Sequence, residues 1–356
     1  GKKKKKKDAD FVHRLYPSPT TTTTALSNQN HNTNNMNENE NDGPCNKRQV
    51  DEIQIHVIGW KRVEGMQSLL NTLQHSNYSG WDQQIPLYIH IDGGSVPELS
   101  AVVQQFSWTY GPKYIDQRVE NIGLRNMWLT SIGKAAKDAG TNTSTLLLVL
   151  EDDLQIAPMY FQWLLRMLDH YAPNPHCRDA DLVGFSLSPI VFQEIFFPFS
   201  FWNPDEELQG IYLPKTTRHS AYLTAVPSSW GAAYWSDHWN RFQDFVTERM
   251  KPPFYNLTAE SASSSSSSSS MVLPTDVTPE YLHIRGAAPN RWTKSWKRFM
   301  VDFMYAQGKV MLYPNFPRQR ALAKALQADG EHGISRNNSR DNPYMAELIT
   351  LDEWLQ

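Results

Sequence analysis

Three short stretches of the chain hold residue types that could do chemistry together. Glu151-Asp152-Asp153 places three carboxylates side by side, directly after an apolar run. Adjacent carboxylates repel one another, and ionising all three is costly unless a cation or hydrogen-bond donors stand close by. Hard oxygen ligands suit Mg²⁺ or Mn²⁺, which take one or two carboxylates together with phosphate oxygens and waters. Asp92-Gly93-Gly94 offers a carboxylate able to accept from a nucleobase N–H or a ribose hydroxyl, beside glycines that let a ligand approach the backbone. Arg62, in Gly59-Trp60-Lys61-Arg62, supplies a guanidinium for a diphosphate. A plainer reading stands beside each: a triplet that caps a helix and pairs with Arg or Lys, an ordinary Asp-Gly-Gly turn, and an exposed surface arginine.

The elements that must position these residues follow from the spacing of apolar side chains. Ile53, Ile55, Val57 and Ile58 read as a strand, and Val63, Met66, Leu69, Leu70 and Leu73 recur at helical spacing. Leu87 to Ile91 is a second strand that runs into the breaker Asp92-Gly93-Gly94, after which Val96, Leu99, Val103 and Phe106 restore the helical period. A short strand near Tyr114 to Val119 precedes a helix carrying Leu124, Met127, Trp128 and Ile132. Leu146 to Leu150 is apolar without interruption, as a strand buried on both faces reads. Leu154 to Pro158 is expected to open a helix, with Pro158 in its first turn and Trp163, Leu164, Met167 and Leu168 on its buried face. The alternation predicts an α/β fold: a Rossmann-like, mainly parallel central sheet with helices on both faces. Ligands of such sheets bind beyond the carboxyl ends of the strands, where the three stretches fall.

Composition narrows the classes. A net charge of −3 gives no general attraction to nucleic acid or to an anionic membrane, so no nucleic-acid partner is expected. No G-x-G-x-x-G follows the first strand and no P-loop occurs, which removes the main support for a dinucleotide or P-loop nucleotide fold. A metal-dependent phosphoesterase would need further His or Asp ligands at metal-site spacing, and no convincing set is present. Residues 1–50, with Lys2 to Lys7, Thr20 to Thr24 and an Asn-rich stretch, hold too little apolar surface to offset ordering, and are expected to be a disordered region. Residues 51–356 are then expected to form one folded domain, interrupted by a flexible Ser-rich insertion at about 252–275. Of the two cysteines, Cys45 falls in the biased region, so a Cys45–Cys177 bridge is not expected. No run is long and apolar enough to span a bilayer, so membrane association is expected only through an anchor preceding Gly1. Sequons at Asn77, Asn142, Asn256 and Asn337 suit a secretory-pathway lumen such as the Golgi, with the cytoplasm as the alternative.

The order of landmarks resembles that of GT-A glycosyltransferases: I-H-V-I-G-W-K-R, I-H-I-D-G-G-S, E-N-I-G-L-R, then L-L-L-V-L-E-D-D-L-Q-I-A-P. The last stretch is similar to the metal motif of the N-acetylglucosaminyltransferase I family, which begins complex N-glycan processing. Downstream, Ser229 to Tyr234 resembles that family's acceptor-side segment, Ser295 to Met304 its W-D-D-W-M helix, and Glu331-His332-Gly333 its histidine-glycine pair. The likeness extends over roughly residues 53–335, and only the E-D-D stretch is specific.

The resemblance implies transfer of a sugar from a nucleotide-sugar donor, a UDP-sugar, to a hydroxyl of a glycan or other acceptor, with inversion. Asp153 would ligate Mn²⁺ or Mg²⁺, Glu151 and Asp152 would hold the donor sugar and ribose, Asp92 the uracil or ribose, and Arg62 the nucleotide. Asp302 would be the general base. Val301 departs from the family's pattern, which has a second acidic residue there. On its own helix Asp302 falls beside the stripe Trp296, Phe299, Met300 and Phe303, where partial desolvation would raise a carboxyl pKa. An Arg298–Asp302 pair at i, i+4 is the alternative there. The Arg291–Trp296 segment and Phe316 to Arg320 would line the acceptor or diphosphate region, or simply pack. A non-catalytic carbohydrate- or partner-binding protein on the same scaffold is the competing reading.

Overall fold

The computed structural model describes residues 50–140, 144–172, 177–191, 195, 201–207, 220–249, 295–326 and 346–355. The low-complexity region, the Ser-rich insertion, Trp292, His332 and the sequons at Asn142, Asn256 and Asn337 lie outside these residues.

An eight-stranded mixed sheet organises the described chain, in the order β3-β2-β1-β4-β8-β6-β9-β7. The strands are β1 (Glu52–Gly59), β2 (Leu87–Ile91), β3 (Lys113–Gln117), β4 (Thr145–Glu151), β6 (Leu182–Ser186), β7 (Ala221–Thr224), β8 (Ala232–Trp235) and β9 (Val310–Pro314). Four pairings are parallel and three antiparallel. The parallel half was legible in the sequence, and the antiparallel β8 and β7 temper the expected mainly parallel character.

Burial explains why these segments are strands. Along β4, Leu146, Leu148 and Leu150 enter one apolar cluster while Leu147 and Val149 enter another on the opposite face. Helices cover both faces. One face takes α1 (Val63–Gln74), α2 (Pro97–Gln105) and α5 (Tyr160–Tyr171), through residues such as Met66, Leu70, Leu99 and Leu164. The other face takes a helix broken into α3 (Gly123–Met127), a π-helical turn (Trp128–Ile132) and α4 (Gly133–Ala139), then α7 (Ser236–Arg249) and α8 (Lys297–Ala306). Shorter helices are α6 (Pro204–Glu207) and α9 (Leu351–Leu355).

Two expectations need correction. Leu154–Ile156 does not open a helix; it is a short strand, β5, paired antiparallel with β10 (Ala323–Ala325). The helix begins only at Tyr160, because the backbone of the intervening residues is taken by a partner far along the chain: the Ala157 N–H donates to the Leu322 carbonyl at 2.7 Å. The second concerns Cys177, which is disulfide-bonded. The only other cysteine, Cys45, lies outside the described residues. Among the described residues no helix is long and apolar enough to cross a membrane.

Candidate functional site

The first strand β1 leads leftward in the sheet to β2 and β3, and the chain then crosses to β4 on its other side. This reversal puts a topological switch point between β1 and β4, the place where open α/β sheets leave a crevice for ligands. Register aligns the carboxyl ends: Gly59 pairs with Ile91, and Ile58 with Glu151. Trp60, Asp92 and Asp152 therefore follow their strands side by side.

Arg62 is brought to the acidic triplet. Its Nη1 lies 2.6 Å from Asp152 Oδ1 and 3.3 Å from Asp153 Oδ2. Arg62 also occupies the N-cap of α1, where its guanidinium, a donor only, cannot cap the helix N–H groups and points to the carboxylates. Asp152 is nearly sealed, at 3% exposure, and its Oδ2 accepts the Trp60 backbone N–H at 3.0 Å. It thus ties the β1 and β4 ends together. Asp153 keeps more of its side chain open, 20% exposed. Glu151 turns to the other face of the sheet, where its Oε1 accepts the Trp128 indole N–H at 3.0 Å.

The electrostatics match this division. Burial and then the Asp153 carboxylate push Glu151 up to about 8, with the Trp128 hydrogen bond and Arg62 pulling the other way. Burial also raises Asp153, and Asp152 adds to this, while Arg62 offsets part of it. One guanidinium does not satisfy three carboxylates. The cluster therefore favours a further cation, and Asp153 is its most accessible oxygen donor.

Asp92 has a structural task. Its Oδ1 accepts from the Gly93 and Ile122 N–H groups at 2.8 and 2.9 Å, and its Oδ2 from the Gly123 N–H at 2.8 Å. A carboxylate has about four acceptor positions, so Asp92 spends most of its capacity holding the loop that enters α3. Around it, the Trp60 indole N–H and the Asn121 amide both donate to the Gly93 carbonyl, at 3.0 and 3.2 Å. Lys61 lies 4.0 Å over the Trp60 ring centroid. A half-buried indole, a lysine and an asparagine thus frame the β1–β2 side of the crevice.

Asp302 is not brought to this cluster by any contact described. It is 1% exposed within α8 and pairs with Arg249 of α7, Nη2 to Oδ2 at 3.0 Å. The expected core-edge position is thus a fully buried one, and the partner given by the geometry is Arg249, from a different helix. In the loop after β9, Arg320 pairs with Glu347 and, at 3.1 Å, with Glu353, which turns it away from a diphosphate role. Arg318 and Gln319 adopt left-handed backbone, φ 57° and 52°. Trp296 packs inside, its ring stacked on Trp128 with centroids 4.3 Å apart. A small pocket lies beyond the carboxyl end of β6, lined by Ser188, Ile190, Ser228, Trp230, Lys297 and Tyr313 among others. Its lining does not include the triplet, but it contains Trp230 of the acceptor-side stretch.

Sequence reasoning missed Trp60, Trp128 and the glycines that allow the strand ends to meet. A Cβ on Gly59 would fall 2.5 Å from Met66 Cε, and one on Gly93 within 2.1 Å of the Glu120 carbonyl carbon. A glycine inside an otherwise amphipathic helix, Gly65, was the available signal.

No protein-family model matches the chain, and no curated protein is similar to it. Solved structures similar to it include S. aureus TarS 1-349 in complex with UDP-GlcNAc, 12% identical over 79% of this chain and 60% of that one, TM-score 0.41. Another is the mannosyltransferase PcManGT from Pyrobaculum calidifontis in complex with GDP-Man and Mn²⁺, 11% identical over 40% of this chain and 36% of that one, TM-score 0.30. The chain spans less than two thirds of the length of each of these solved chains.

Proposed function

We propose that this chain is a glycosyltransferase that takes a sugar from a nucleotide-sugar, a UDP-sugar, to an acceptor hydroxyl, with inversion and with Mn²⁺ or Mg²⁺ at Asp153. The observation that carries the reading is the meeting of Arg62, Asp152 and Asp153 at the β1–β4 switch point, with Glu151 beside them. The donor set fits such an ion in the mode in which one carboxylate is completed by diphosphate oxygens and water. Among the described residues no group of three His, Cys, Asp or Glu could hold a metal alone, and on this reading diphosphate oxygens and waters would complete the shell. When bound, the ion supplies Lewis-acid neutralisation of the leaving diphosphate. Arg62 faces the same phosphates, Glu151 accepts from the donor sugar, and the Trp60–Gly93–Asn121 wall borders the nucleoside. The pocket containing Trp230 and three nearby hydroxyls, of Ser188, Ser228 and Ser229, suits the acceptor. The disulfide at Cys177 supports an oxidising compartment, in keeping with a secretory-pathway lumen.

The buried pairing of Asp302 favours a second reading, a non-catalytic nucleotide-sugar-binding protein. Asp302 takes an acceptor proton only from a state in which the Arg249 pair is open. Release of UDP from a panel of UDP-sugars with Mn²⁺ separates the two. The metal site itself is tested by Asp153→Asn, which is expected to abolish metal-dependent UDP binding in calorimetric titration. If UDP affinity and its dependence on Mn²⁺ survive that change, the assignment is wrong.

A further inference from the structure

Trp128 belongs to none of the roles given so far, yet it makes the one hydrogen bond to Glu151. The side chain is fully buried, at 0% exposure, and its ring is clamped by Trp296 at 4.3 Å and Trp239 at 5.9 Å between centroids. Trp128 also begins the π-helical turn that interrupts the helix between Gly123 and Ala139. Such turns are rare and recur at functional sites, because the altered phase re-aims a side chain that a regular helix would point elsewhere. Here the phase delivers the polar tip of an otherwise apolar residue to the end of the central strand.

An indole N–H is a donor only. It can hold one carboxylate oxygen and never competes with a ligand for a proton. Oε1 of Glu151 is taken in this way at 3.0 Å, while Oε2 has no hydrogen-bond partner among the described residues. With one oxygen anchored to a side chain that cannot change rotamer inside its stack, the other has a fixed direction. We propose that Trp128 is the positioning residue of the donor site, fixing Glu151 so that its second oxygen hydrogen-bonds a hydroxyl of the donor sugar. The inference rests on the nucleotide-sugar reading and adds to it the element that separates a nucleotide-sugar from a bare nucleotide. Binding of UDP draws on Arg62 and Asp153; binding of the sugar draws on Glu151 as Trp128 holds it.

Trp128→Phe keeps an aromatic ring in the stack and removes the donor. In titrations with Mn²⁺, we expect it to leave UDP affinity within twofold of wild type. Affinity for the preferred member of a panel of UDP-hexoses and UDP-N-acetylhexosamines is expected to fall about tenfold, the scale of one hydrogen bond. Glu151→Gln provides the second variant. Combined with Glu151→Gln, Trp128→Phe should add no further loss of UDP-sugar affinity. Equal losses for UDP and UDP-sugar, or a Trp128→Phe effect undiminished in the Glu151→Gln background, make Trp128 a packing residue only and overturn the proposal. Wild-type protein that binds the whole panel no more tightly than UDP overturns it as well. If wild type binds no UDP at all, the nucleotide-sugar reading itself fails and takes the proposal with it, a result distinct from the other two.

Discussion

Gly65→Ala is the sharpest test of how the strand ends are built. In most helices this exchange stabilises, by about 1 kcal/mol, because alanine loses less backbone freedom on folding. Gly65 lies in the first turn of α1, and a Cβ built there would sit 2.1 Å from the Asp152 carbonyl oxygen, where ordinary contact begins at 3.4 Å. The obstacle is backbone, so no rotamer relieves it; α1 and the β4–β5 turn must separate by over an ångström. That displacement also stretches the contacts Asp152 makes to the Trp60 N–H at 3.0 Å and to Arg62 at 2.6 Å. Overpacking typically costs about 1–3 kcal/mol, and a hydrogen bond to a charged group is worth about 1.5–3 kcal/mol. Set against the propensity gain, the net destabilisation is about 1.5–5 kcal/mol. For a domain of this size that lowers Tm by about 3–10 °C. Differential scanning calorimetry measures it, with Gln67→Ala on the exposed side of the same helix as control, expected within about 0.5 kcal/mol of wild type. A Gly65→Ala protein as stable as wild type, or more stable, refutes the close approach of α1 to Asp152.

Asp302→Asn leaves the Arg249 guanidinium, 11% exposed, facing a neutral group, and breaking such a buried pair costs about 3–5 kcal/mol. A clear drop in Tm, partly recovered by adding Arg249→Met, is expected; unchanged Tm with lost turnover would instead mark Asp302 as a base without a structural part. Stability against pH should show two opposed slopes in protein stripped of metal and nucleotide. Burial first, with Arg178 and other nearby cations, holds His238 down at about 4 against the opposing Asp237, so the folded chain binds fewer protons than the unfolded one and stability falls as pH drops from about 6.5 towards 4. Glu151, raised from 4.5 to about 8, works the other way: its contribution is whole below about 4.5 and is lost as pH rises to about 8. Glu151→Gln should therefore raise Tm relative to wild type at pH 8 and lose that advantage at pH 5. A difference between the two that is the same at both pH values contradicts the burial of a proton at Glu151.

What the sequence disclosed, and what it hid, divides by the distance over which each feature is decided. The strands β1, β2 and β4 were readable because the runs of apolar residues that make them are local features of the sequence. The triplet stood out as a candidate site because it follows an uninterrupted apolar strand. Arg62 was readable only as a cation; that it bridges Asp152 and Asp153 is set by parallel pairing across some ninety residues of chain. β5 was misread because Leu154 to Ile156 has no signal of its own and pairs with Ala323 to Ala325. Asp92 looked like a turn or a ligand contact, whereas its main partners, the Ile122 and Gly123 N–H groups, lie thirty residues on. Asp302 was read as a base at the core edge, with an i, i+4 pair to Arg298 as the alternative, because a single helix shows no more; its pairing with Arg249 comes from another helix. Trp128 was read as core, correctly for its ring, and periodicity says nothing of the N–H at its tip.

The strand ends are therefore assembled against their own electrostatics. Gly59, Gly65 and Gly93 remove side chains so that backbone and carboxylates can crowd together, and Asp152 uses both oxygens to lock the crowding in place. The repulsion that results is not spread evenly. Asp152 receives Arg62 at close range and an N–H, while Asp153 shares the guanidinium at longer range and Glu151 receives only an indole. Stability is given up at the two carboxylates that are least satisfied, and it can be regained by anything that brings positive charge to Asp153 and a hydroxyl to Glu151. On the proposed reading, a divalent cation travelling with a nucleotide diphosphate would bring the first, and the sugar attached to that diphosphate the second. Neither partner alone would relieve both groups, so under that reading the site is expected to bind the complete donor more tightly than the sum of nucleotide and sugar offered apart.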